Sequence, residues 1–159
     1  QITPVQMLRA VAAIVNGGKL VTPHFGLYTS SSDGSVVNEF AYSTEEEAIS
    51  SQTSEMMKQI LEGVVSEGGG TKAYIEGYSI GGKTATSQKL PRGSGKYISS
   101  FIGFAPADNP QVIAMCLIDE PTGVYYGGTI AAPVVKTLYE NILPYLGIER
   151  SVQLEKNSD

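Results

Sequence analysis

The sequence predicts an α+β fold in which an antiparallel sheet packs against helices. Two observations carry that expectation. Helical periodicity marks residues 3–16, 53–66 and 129–146, while residues 79–118 hold three β-rich runs separated by turn signals. The connection between the last two runs, at 104–112, is too short for a crossover, so those strands are antiparallel neighbours. The chain has 159 residues, 42% hydrophobic and 17% charged, which fits one domain able to bury about 70% of its unfolded surface. Low charge argues against disorder. A net charge of −5 without a Lys/Arg cluster excludes nucleic acid as a partner. No apolar run approaches the ~20 residues of a membrane span. One Cys rules out an internal disulfide, and one Cys with one His makes no structural zinc set, so no metal and no cofactor are expected. Gln1-Ile2-Thr3-Pro4 leads straight into a helix cap without a signal peptide, which reads as a piece of a longer chain.

The first helix begins with a capping box, Thr3 at the N-cap, Pro4 at the first helical position and Gln6 reaching back. Val5, Leu8, Ala12 and Val15 form its stripe, and Gly17-Gly18 stops it. Ser30-Ser31-Ser32-Asp33-Gly34 between Gly26–Thr29 and Val36–Phe40 predicts a hairpin. Residues 43–52, with Glu45-Glu46-Glu47, read as a solvated loop, and His24 beside Pro23 as a loop residue. A second helix is expected over 53–66, with Glu55 in its first turn and Met57, Ile60, Leu61 and Val64 buried. Met56 and Met57 read as core filler, and Gly68-Gly69-Gly70 ends the helix. Strands are expected over 79–89, 97–104 and 112–118. The last is wholly apolar and reads as central and covered on both faces, with Cys116 a small buried hydrophobe. A helix over 129–146 with Pro133 near its start and a stripe of Ile130, Val134, Leu138 and Ile142 closes the chain, and Pro144 marks its end.

Three motifs overlap on residues 77–86. Gly77 to Thr84 spells G-x-x-x-x-G-K-[ST], the phosphate loop of a nucleotide-binding protein. That loop needs a helix opening at Lys83-Thr84, and none of useful length fits before Pro91. Gly77-Tyr78-Ser79-Ile80-Gly81 spells the G-x-S-x-G nucleophile elbow, which requires a later His. The only histidine, His24, lies upstream. Lys83-Thr84-Ala85-Thr86 matches K-T-G-[ST] with Ala for Gly, a motif that sits on a strand with a Gly-rich approach, here Gly81-Gly82. On a strand Thr84 and Thr86 share a face, two hydroxyls able to bind a carboxylate, while Lys83 supplies positive charge and a strand N–H serves an oxyanion hole.

The longer run Thr71 to Lys89 resembles class B penicillin-binding proteins, the peptidoglycan D,D-transpeptidases of division and sporulation, stage V sporulation protein D type. Ile2–Gly18, Phe101–Pro106, Gly127–Val134 and Ile142–Ile148 are similar to further stretches of that family, so the resemblance covers residues 1–148 and leaves 149–159 as a polar tail. It implies that an active serine attacks D-Ala-D-Ala stem peptides and that β-lactams trap that serine. It also implies catalytic Lys83, substrate carboxylate held by Thr84 and Thr86, the Thr86 N–H as an oxyanion donor, and an extracytoplasmic location anchored in the bacterial envelope.

The family's other two motifs are absent. No serine in the chain has Lys three residues later, and none has Asn two residues later. The resemblance therefore implies the C-terminal part of a transpeptidase domain, an incomplete fold that keeps family strands three to five and is inactive alone. Its partners are the missing N-terminal part of the same domain and, in the complete domain, stem peptides and β-lactams. Loss of the upstream strands would leave 112–118 as a free edge. That edge is expected to pair in a homodimer or with a rearranged strand from residues 27–40.

Overall fold

A computed structural model describes residues 2–45 and 47–151. Glu46 of the expected acidic loop and 152–159 of the expected tail lie outside the described residues. Two compact units divide the chain, one up to Glu55 and one from Met56 onward.

In the first unit, helix α1 (Pro4–Val15) carries the full capping box: the Gln6 N–H donates to Thr3 Oγ1 at 3.2 Å, and the Thr3 N–H donates to Gln6 Oε1 at 2.8 Å. Ala13 and Val15 are its buried residues, whereas Val5 stays exposed. Gly18 has a positive φ, and a Cβ there would meet the Ile49 carbonyl oxygen, so only glycine fits this exit. β1 (Leu20–Val21) pairs with β4 (Thr44–Glu45), which places a two-residue ladder where the sequence reads as loop. The expected hairpin forms from β2 (Tyr28–Ser30) and β3 (Val36–Glu39), antiparallel with a register shift after Thr29. All seven of its strand residues are exposed. His24 is the loop residue expected, its ring stacked on Tyr42 at 3.6 Å.

Helix α2 (Ser51–Ser66) starts two residues before the expected Thr53 because Ser50 caps it, its Oγ accepting from the Thr53 N–H at 3.1 Å. Glu55 consequently lies beyond the first turn. The buried face is Ser54, Lys58, Leu61 and Val65; Ile60 of the expected stripe is exposed, and Met56 is surface, not core. The register turns this way because two polar residues have partners inside: Ser54 Oγ donates to the Ile14 carbonyl at 2.7 Å, and Lys58 Nζ donates to the Asp108 carbonyl at 2.7 Å while burying its stem.

The second unit is built on a three-stranded antiparallel sheet in the order β5-β6-β7, from Gly81–Gln88, Tyr97–Ala105 and Val112–Asp119. The central strand is β6, in which Phe101 to Ala105 are all buried. β7 is not central, as its apolar run led one to expect. It is an edge among the described residues, as the family resemblance implies, and only half-buried; apolarity alone cannot distinguish a strand with two neighbours from one with a single neighbour and a packed face. Residues 27–40 pair only with one another, so the rearranged-strand expectation fails. Cys116 is half-buried, and burial holds its thiol pKa above the ordinary value, as befits a packing residue.

The closing helix is broken into α3 (Gly127–Ile130) and α4 (Ala132–Tyr145), and Pro144 lies inside its last turn. Its buried face is Val135, Tyr139 and Leu143, one residue out of phase with the expected stripe, and Val134 and Leu138 are exposed. Tyr139 decides the phase: it is completely buried, and its hydroxyl donates to the Gly103 carbonyl of β6 at 2.6 Å. Phe101, Val65, Ala73, Ile80 and Ala131 complete the core around it.

Candidate functional site

Strand β5 is where the overlapping motifs are decided. Residues 81–88 are extended and ladder with β6, so no helix opens at Lys83-Thr84 and the phosphate-loop reading is excluded. The elbow reading fails on the same strand, and Ser79 donates its hydroxyl to Glu62 Oε1 at 2.5 Å. The surviving motif, Lys83-Thr84-Ala85-Thr86, lies mid-strand as its chemistry requires.

The approach to this strand is shaped by two rings from β6. A Cβ on Gly81 would sit 2.2 Å from Phe104 Cζ, and one on Gly82 would sit 2.5 Å from Phe101 Cζ. Both glycines are buried because the rings lie on bare backbone. They let β5 run flush against the core until Lys83.

The ladder fixes which backbone groups remain available. The Lys89 N–H donates to the Lys96 carbonyl at 2.9 Å, which makes that pair hydrogen-bonded and sets the alternation along β5. Residues 83, 85 and 87 therefore bond to β6, while the N–H and C=O groups of Thr84 and Thr86 point to the open edge. Lys83 Nζ uses this arrangement, reaching along the strand to donate to the Thr84 carbonyl at 2.8 Å.

Side chains follow the pleat. Thr84 and Thr86 share the face that meets α3, and Lys83 and Ala85 share the other. Thr84, Ala85 and Thr86 line a cavity of about 330 Å³ with Gly69, Thr71 and Lys72 before the strand and Tyr126 to Thr129 after it. Lys83 is exposed and outside the lining, so the structure brings the two threonines together in one cleft and not the lysine. Thr86 Oγ1 accepts from the Gly127 N–H at 3.0 Å. That bond exists because residue 127 is glycine: a Cβ there would lie 2.3 Å from the carbonyl oxygens of both Ala85 and Ser100. Gly127→Ala is expected to lift α3 from the sheet, break the Thr86 bond and cost about 1–3 kcal/mol. Urea unfolding checks this, and an unchanged midpoint contradicts the packing account.

The far end of the strand is tied down by charge. Lys89 Nζ lies 2.9 Å from Asp119 and 2.7 Å from Glu120, and Lys96 lies 2.9 Å from Glu120, closing the 90–96 loop over the end of β7. The pairing raises the Lys89 pKa and lowers that of Glu120. Tyr97 stacks on Tyr125 at 4.1 Å, which carries the chain from the sheet to Tyr126 at the cavity. Sequence reasoning did not assign Lys72 or Tyr126 to the site. The available signal is Gly127-Gly128 directly after two tyrosines, which enters only as part of the family resemblance although paired glycines also mark a backbone approaching closely.

A family model described as the penicillin binding protein transpeptidase domain matches residues 1–140. The chain belongs to the penicillin-binding protein transpeptidase family. Stage V sporulation protein D of Bacillus subtilis (strain 168) is 41% identical over 161 residues, which cover 98% of this chain and 25% of that protein. The probable peptidoglycan D,D-transpeptidase PenA of Neisseria flavescens is 32% identical over 99% of this chain and 38% of its own length. This transpeptidase-family chain thus spans well under half of either relative. Among solved structures, penicillin binding protein 3 from Mycobacterium tuberculosis complexed with ampicillin superposes with a TM-score of 0.82 at 28% identity, covering 97% of this chain and 37% of that one.

Proposed function

We propose that this chain is the C-terminal part of a serine-type D,D-transpeptidase domain and forms one wall of its active site, the nucleophile being supplied by an upstream part of the same domain. Residues 1–148 are the domain part and 149–159 its tail. One observation carries the reading. Thr84 and Thr86 present two hydroxyls to one cleft from a strand whose edge leaves the Thr86 N–H unpaired among the described residues. Hydroxyls at that spacing hold a carboxylate, and the free N–H is placed to donate to a carbonyl oxygen on which negative charge develops.

In the complete domain a serine hydroxyl attacks the carbonyl between the two D-Ala residues of a stem peptide. D-Ala leaves, an ester forms, and the amine of a second stem peptide displaces the serine to make the cross-link. Lys83 supplies positive charge to the proton network around the serine, and Gly81 and Gly82 keep β5 in line. A β-lactam enters as a mimic of the donor. The named relatives support this reading, as does the ampicillin complex of the neighbour. The setting is the outer side of the bacterial membrane, with the anchor upstream. The β7 edge is covered by upstream strands of the same domain, and by a second copy when the chain stands alone.

The test is acylation of the longer protein by ampicillin. Losing hydrogen bonds to a charged group costs about 1.5–3 kcal/mol, so Thr84→Val with Thr86→Val slows acylation by about 10–100-fold. An unchanged rate overturns the carboxylate role.

A further inference from the structure

The cleft beside Thr84 and Thr86 has a charge that the strand motif does not explain. Among the described residues that line it, Lys72 alone carries a charged side chain, and none is Asp or Glu. The chain as a whole carries −5, so an uncompensated cation here is not the general condition of its surface. Lys83 does not fill this role, because it lies outside the lining and its ammonium donates to the Thr84 carbonyl.

Lys72 is also held at its root. It sits in the middle of a 3-10 turn, Thr71–Ala73, closed by the Ala73 N–H on the Gly70 carbonyl at 2.8 Å and the Tyr74 N–H on the Thr71 carbonyl at 3.0 Å. Ala73 is completely buried in the core. The turn is thus tied to the core through Ala73, and the exposed Lys72 side chain extends from it. Its ammonium has no hydrogen-bond or ion-pair partner among the described residues.

We propose that Lys72 is a binding residue for the carboxylate of the acyl donor, acting from the 3-10 turn across the cleft from Thr84 and Thr86. This rests on the transpeptidase reading above. Two hydroxyls orient a carboxylate without neutralising it, and a single ammonium adds the missing charge. The recognised group is the free C-terminal carboxylate of the donor peptide, or the ring carboxylate of a penicillin in its place.

The experiment uses the longer protein and compares wild type, Lys72→Met and Lys72→Arg. Benzylpenicillin acylation is followed by intact mass at about 0.05 M and about 0.5 M salt. A donor pentapeptide is compared with its C-terminal amide. Lys72→Met is expected to acylate about 5–20-fold more slowly at low salt, with the gap narrowing at high salt, and to lose the same factor of discrimination between acid and amide. Lys72→Arg should stay within about 2-fold of wild type, since it keeps the charge. Wild-type rates for Lys72→Met at both salts overturn the proposal, and so does an equal loss on acid and amide. The Thr84→Val/Thr86→Val protein is run alongside: a loss there with none for Lys72→Met removes only the Lys72 role, while no loss there removes the parent reading.

Discussion

Replacing Lys83 by Met is expected to lower acylation of the complete transpeptidase by about 10²–10⁴-fold, the range for loss of a positioned proton-transfer group. Its position gives the reason. Lys83 leaves the buried Gly81-Gly82 stretch as the first exposed side chain of β5, on the face opposite the two threonines. Its ammonium is already aligned along the open edge by the Thr84 carbonyl at 2.8 Å. A flexible stem with three donors can hold that carbonyl and a hydroxyl together. Lys83→Arg keeps the charge but offers a planar fork in place of a compact point charge, so it recovers only part of the rate. The loss should fall on the acylation step, while non-covalent β-lactam affinity, which the proposal assigns to the threonines, changes little. Stopped-flow acylation separates the two. A wild-type acylation rate in Lys83→Met removes Lys83 from the machinery.

The second large effect concerns the support beneath the site. Tyr139→Ala is expected to cost about 3–5 kcal/mol, the cost of deleting a large core side chain without refilling the space. Tyr139 is fully buried among Phe101, Ala105 and Leu143, and its hydroxyl is bonded to the Gly103 carbonyl. Tyr139→Phe keeps the ring but leaves that carbonyl without its side-chain donor, and should cost about 1–3 kcal/mol. Denaturant unfolding measures both. Near-equal costs for the two variants would show that the hydroxyl, not the ring volume, dominates, and a cost below that of a surface change would contradict the core assignment.

These particulars show which parts were legible. The α1 capping box, the hairpin around Asp33-Gly34 and the antiparallel β6–β7 pair follow from local rules of hydrogen bonding and chain length, and they appear where the sequence places them. Thr84 and Thr86 share a face because strand alternation alone decides it. What failed was phase and rank. The buried faces of α2 and α4 are set by Ser54, Lys58 and Tyr139, whose polar ends find specific carbonyls, and apolar periodicity is blind to such partners. β7 is the edge that the family resemblance implies; only the reading of its apolar run as central fails, because a seven-residue apolar run carries no count of neighbours. Tyr126 reaches the cleft from a segment far from β5 in sequence, and Lys72 reaches it from the 3-10 turn nine residues before β5, whose path back to the strand no spacing rule gives.

The central claim is that residues 1–159 hold the carboxylate-binding wall of the site and not its nucleophile. The most direct test is intact mass after incubation with ampicillin, for this chain and for the longer protein side by side. The account predicts one adduct on the longer protein, mapped by peptide digestion to a serine upstream of residue 1, and none on the 159-residue chain. A covalent adduct on any side chain within residues 1–159 would contradict it.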